Sequence, residues 1–140
     1  MEDMGKGPVV QLMAIWVHTS PLWLMDEALF RDLFKELIIK LNMTVLVPTI
    51  GVRVPTVNYT DTVSGRQPTE SDFGLTMFTI ISESHIAAHT WPQFEKAWFE
   101  VASCKKFDES VVENVLYSYF PGCELKLWRE EKWQAGDNVV

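Results

Sequence analysis

Basic residues are scarce in this chain. Twelve lysines and arginines stand against nineteen aspartates and glutamates, a formal net charge of −7 over 140 residues. No Lys/Arg cluster forms anywhere along it. That argues against nucleic acid as a partner, because neutralising phosphates dominates such affinity. A cationic small molecule is the more compatible ligand. Long apolar runs are missing too: none approaches the ~18 residues needed to span a bilayer, so no membrane partner is expected. Met1 to Pro8 is polar and acidic, without the basic start and apolar run of a secretion signal. Cysteine is nearly absent; Cys104 and Cys123 are too few for a disulfide framework. These absences together point to a cytoplasmic protein with free thiols.

What is present suits one soluble domain over residues 1–140, with enough apolar sequence for a true core. Val9 to Val17 reads as a buried strand that His18-Thr19-Ser20-Pro21 ends, with His18 a solvated turn residue. Asp26 to Leu41 reads as a helix capped by Asp26, because Leu29, Phe30, Leu33, Phe34, Leu37, Ile38 and Leu41 fall on one stripe. Met43 to Val54 is strand-like. Pro55 to Asp72 turns polar and forms a long loop, either a functional lid or a tolerated surface insertion. Gly74 to Ile81 and Ile86 to Trp91 read as two strands meeting around Ser82-Glu83-Ser84. Lys96 to Cys104 alternates, with Trp98, Glu100, Ala102 and Cys104 on one face. Asp108 to Phe120 is a second helix, for which Ser110 and Glu113 have the spacing of a capping box. Pro121-Gly122 stops it, Cys123 to Trp128 is a last strand, and Glu130 to Val140 is expected to fray. The order βα-ββββ-αβ implies an α+β two-layer sandwich, an antiparallel sheet with helices on one face.

The chemistry concentrates in Ser82-Glu83-Ser84-His85-Ile86-Ala87-Ala88-His89-Thr90-Trp91-Pro92, with Cys104 twenty positions after Ser84. Two of the three histidines lie here. On a strand, His85 and His89 share a face. Zinc would want three or four ligands, and no further cluster supplies them, so no metal is expected. A serine beside a histidine is otherwise an ordinary strand or turn residue until a third group orients the pair. Cys104 alone reads equally as a small buried core residue.

The pattern Glu83-Ser84-His85…His89-Thr90-Trp91-Pro92…Cys104 resembles the active-site region of S-adenosylmethionine (AdoMet) decarboxylases, in their short prokaryotic, pyruvoyl-dependent form. The resemblance runs from about Val9 to Trp128, with extra sequence near Val54 to Asp72. It implies the same two-layer fold. It also implies self-cleavage between Glu83 and Ser84, which converts Ser84 into a pyruvoyl cofactor. By resemblance, His89 is the processing residue, and Thr76 holds the place of a processing serine while keeping the hydroxyl. Cys104 resembles the acid that returns a proton to the substrate's α-carbon. Lys105 stands where glycine is usual; its ammonium could stabilise a thiolate or simply alter the loop. Gln93 stands where a glutamate usually binds the ribose hydroxyls of AdoMet. Phe94 and Trp16 are aromatic candidates for stacking the substrate, or core residues. The implied assembly is a homodimer. The implied activity is AdoMet decarboxylation through a Schiff base, in polyamine (spermidine) synthesis. Two alternatives stay open: a homologue decarboxylating arginine or ornithine, and an unprocessed, non-catalytic regulatory partner.

Overall fold

The computed structural model describes residues 9–55, 72–82 and 84–134, with side chains described for 10–55, 72–82 and 84–128. The expected lid or insertion falls largely outside them, as does Glu83. Six strands form one sheet. They are β1 (Val9–His18), β2 (Val45–Pro55), β3 (Phe73–Ile81), β4 (Ser84–Trp91), β5 (Lys96–Ser103) and β6 (Glu124–Gln134). Their spatial order is β2-β3-β4-β5-β1-β6, with antiparallel pairing at every step. Three helices accompany the sheet: α1 (Pro21–Leu24), α2 (Glu27–Lys40) and α3 (Glu109–Tyr119). The expected α+β two-layer sandwich is therefore the one observed.

Strand alternation decides which side of the sheet is covered. Met13, Ile15 and Val17 of β1, Leu75, Met77 and Ile81 of β3, Ile86 and Ala88 of β4, and Ala97, Phe99 and Val101 of β5 share one core with the helices. The stripe of α2 meets them through Phe30, Leu33, Phe34 and Leu37, and α3 adds Val112, Val115 and Leu116. Phe99 stacks on Phe30 at 5.6 Å, with Phe120 at 6.2 Å on another side. Each such aromatic, fully buried, contributes about 1.5–3 kcal/mol.

Asp26 caps α2 as expected, its carboxylate accepting from the Leu29 N–H at 3.0 Å. The cap of α3 differs from the expected box. Asp108, not Ser110, sits at the N-cap and accepts from both the N–H and the hydroxyl of Ser110. With the helix starting at Glu109, Ser110 is already inside the first turn, and the aspartate preceding it is the better cap. The tail is a second correction. β6 does not fray at Glu130 but runs to Gln134, pairing with β1 back to Val9. Those polar residues satisfy the backbone groups of β1, which composition does not reveal.

Where β2 crosses α2, a Cβ at Gly51 would run into the Glu27 carboxylate and the Met77 sulfur. Both atoms lie toward the ends of flexible side chains, so a larger residue there would require those side chains to shift. No described helix is long and apolar enough to cross a membrane.

Candidate active site

The face of the sheet away from the described helices carries Thr76 and His89 among rows of paired residues. Register places Thr76, His89, Trp98 and Trp16 side by side across four strands. The next row holds Phe78, Ala87, Glu100 and Ala14, and the one after it Ile80, His85, Ala102 and Leu12. His85 and His89 do share this face, as strand parity predicts. They do not share a partner.

His89 Nδ1 lies 3.2 Å from Thr76 Oγ1. The Thr76 hydroxyl, in the place of the expected processing serine, is thus within hydrogen-bond reach of His89. His85 Nε2 is 2.8 Å from Glu100 Oε2 and stacks on Phe78 at 5.4 Å. This pair was not foreseen. Only the register of β4 on β5 brings residue 85 near residue 100.

Ser84 opens β4 directly after the turn that joins it to β3, with Ile81 as its partner across the hairpin. Extending the β4–β5 register one step beyond His85–Ala102 sets Ser84 opposite Ser103, the residue before Cys104. Both Ser84 and Cys104 are half-buried, and Cys104 is a free thiol. Ser84 and Cys104 therefore belong to one end of the sheet.

The remaining candidates gather at the other end. His89 is five residues along β4 from Ser84, about 16 Å at roughly 3.3 Å per residue. Gln93 lies beyond the end of β4, half-buried in the 3₁₀ turn Pro92–Phe94. Beside it, Trp16, Trp91, Phe94 and Lys96 line a pocket of about 230 Å³. The two stacking candidates, Trp16 and Phe94, thus meet in one cavity rather than in the core. Trp16 also packs edge-on to Trp98 at 4.9 Å and against Trp91 at 5.7 Å. Trp91 and Lys96 are the pocket residues that sequence spacing missed. Thr90, inside the same motif, points to the helices instead. Its hydroxyl accepts from the Leu75 N–H at 2.8 Å and donates to the Leu24 carbonyl at 2.9 Å, tying α1 to the sheet.

Lys105 does not reach for the thiol. Its ammonium donates to the Asn42 carbonyl at 2.7 Å. Among the described residues no three His, Cys, Asp or Glu side chains converge on a metal position.

A single antiparallel sheet, helices on one side, serine and cysteine at one end and a hydroxyl–imidazole pair at the other, defines a class of two-layer α+β domain. The candidate residues sit on the sheet and its ends rather than on the helices. The chain belongs to the S-adenosylmethionine decarboxylase family, whose pattern it matches over residues 11–128. A 31-residue segment is 52% identical to the S-adenosylmethionine decarboxylase proenzyme of Pyrobaculum islandicum, and one of the same length is 48% identical to that of Pyrobaculum aerophilum. Each segment covers 22% of this chain and 25% of the relative, so only a quarter of those curated relatives is spanned. The adenosylmethionine decarboxylase from Aquifex aeolicus VF5 shares the fold. Its TM-score is 0.57 at 17% identity, with 96% of this chain and 94% of that one covered.

Proposed function

We propose that this chain is a self-processing AdoMet decarboxylase that serves polyamine (spermidine) synthesis as a cytoplasmic homodimer. The observation that carries the reading is that Ser84 opens β4 at the β3–β4 turn, while Cys104 directly follows the end of the neighbouring strand β5 at the same end of the sheet. In the proposed processing, Ser84 Oγ attacks the Glu83 carbonyl carbon, the peptide C–N bond breaks, and an ester forms. Loss of the Ser84 α-proton then expels the Glu83 carboxylate. Water replaces the remaining nitrogen, which leaves as ammonia.

The residues present fit the resulting pyruvoyl group: a hydroxyl residue begins a strand, and a half-buried thiol follows the neighbouring strand at the same end of the sheet. When present, that group supplies a carbonyl electron sink for decarboxylating an α-amino acid. Cys104 then holds the proton for the α-carbon, and general acid catalysis of this kind is worth roughly 10²–10⁴-fold.

Thr76 and His89 stand about 16 Å along β4 from their own Ser84. A second copy, turned end for end over the face away from the helices, would carry its Thr76–His89 pair and its Gln93 to the sheet end at which Ser84 begins β4. Half-exposed Phe78, Ile80 and Trp128 on this side of the molecule favour such pairing.

Gln93 favours one alternative specifically. Glutamine offers a neutral acceptor where glutamate would offer a charged one, at a cost of about 1 kcal/mol, or near tenfold in affinity. A basic amino acid such as arginine or ornithine needs no ribose contact. The test is carbon dioxide release from AdoMet, arginine and ornithine, using wild type and Gln93→Glu. Release from AdoMet that improves in Gln93→Glu supports the proposal. Release from arginine or ornithine alone defeats it.

A further inference from the structure

One short connection touches both sides of the Ser84–Cys104 end of the sheet. Between α2 and β2, the Thr44 carbonyl accepts the N–H of Ser82, two residues before Ser84, at 2.8 Å. Two residues earlier, the Asn42 carbonyl accepts Lys105 Nζ, one residue after Cys104, at 2.7 Å. Asn42 adopts the left-handed conformation, φ 54°, which asparagine tolerates better than most residues and which turns the chain out of α2 at this point.

The segment leaving Cys104 is held twice more. The Lys105 N–H donates to Ser103 Oγ at 2.9 Å. Gln11 of β1, 1% exposed, accepts the Phe107 N–H at 3.1 Å and donates to the Phe107 carbonyl at 3.0 Å and to Glu109 at 2.9 Å. A buried amide that satisfies both backbone groups of one residue fixes that residue, because losing it would strand two polar groups.

We propose that Lys105 and Gln11 are positioning residues. With the Asn42–Thr44 connection they brace the Cys104 segment against the strand end that carries Ser84, and so set where the thiol stands. The inference rests on the proposed role of Cys104, but the brace itself can be read without activity. A misplacement near 1 Å can cost about 100-fold in rate, so a tether of this kind matters to a proton donor.

The experiment uses the full chain in two forms. In the uncut Ser84→Ala background, the rate of iodoacetamide alkylation at Cys104 is read by peptide mass for Lys105→Met, Lys105→Arg and Gln11→Met. A loosened segment exposes the thiol, so Met at either position is expected to speed alkylation severalfold, with Arg at 105 restoring the slow rate. In the processed enzyme, Lys105→Met is expected to lower kcat roughly ten- to a hundredfold with KM within about twofold, because its ammonium is committed to Asn42. Lys105 is exposed, so its removal leaves the fold intact if Gln11→Met does not. Slower alkylation in Lys105→Met would assign the lysine to thiolate stabilisation and overturn the brace. Unchanged alkylation in both Met variants, or a change in KM alone, would overturn it as well. A wild type that neither cleaves nor decarboxylates, while alkylation responds as stated, would leave the brace standing and defeat the proposed function.

Discussion

Thr76 and His89 are directly paired residues of β3 and β4, with hydroxyl and imidazole 3.2 Å apart, and five residues of strand, about 16 Å, separate His89 from the Ser84 of its own chain. Processing in trans is the consequence for the proposed dimer. His89→Ala alone is expected to stay full length, and so is Ser84→Ala. Co-expressed, the two chains can form a heterodimer in which an intact His89 meets an intact Ser84. The His89→Ala chain should then be cut into fragments 1–83 and 84–140, while the Ser84→Ala chain remains whole. Differently tagged chains on a denaturing gel distinguish them. No cleavage in the mixture, with wild type cleaving normally, would sink the shared-site arrangement.

Removing the thiol separates processing from turnover. Cys104→Ala is expected to cleave at least in part and to decarboxylate about 10²–10⁴-fold more slowly. Intact mass reads the first and carbon dioxide release the second. Near-normal turnover would take Cys104 out of the mechanism.

The two thiols should also differ in reactivity. Cys123 is buried, and burial pushes its thiol above the ordinary range. Less of it is thiolate at any given pH, so alkylation below pH 9 should mark half-buried Cys104 first. The same shift links to stability. A thiol whose folded pKa is raised contributes stability below its unfolded pKa, and that contribution fades as pH rises through the folded value. Cys123→Ala should therefore flatten any loss of stability on the alkaline side, followed by urea midpoints from neutral to alkaline pH.

Phe99 is the centre of the core, in ring contact with Phe30, Phe34 and Phe120. Phe99→Ala is expected to cost about 3–5 kcal/mol. The measure is a lower urea midpoint at unchanged slope, since a changed slope would report a different unfolded state.

Local features were legible in the sequence where local physics decides them. The stripe of α2 from Leu29 to Leu41, the Asp26 cap and the alternation from Trp98 to Ser103 each follow from periodicity or a single side chain. The site residues could be named from motif spacing. Their division between two ends of the sheet follows from strand rise once Ser84 and His89 share a strand, yet the motif's compactness suggests one cluster. What could not be read depends on register. Trp16 and Phe94 meet because β1 lies beside β5, and His85 meets Glu100 because residue 85 pairs with 102. The carbonyls of Asn42 and Thr44 have no sequence signature at all, since every residue carries one.

The order of strands has a bearing on what a cut at the hairpin would leave behind. A break between residues 83 and 84 assigns β1, β2 and β3 to one fragment and β4, β5 and β6 to the other. Across the sheet, however, β1 sits between β5 and β6. The fragments are interlocked: three separate ladders, β3–β4, β5–β1 and β1–β6, cross from one to the other. Severing the covalent link at the tip of one hairpin removes none of those hydrogen bonds. A nicked molecule would come apart only by unzipping three of the five ladders of its sheet, so a new chain end at residue 84 would be created on a scaffold that has no need of the bond it loses.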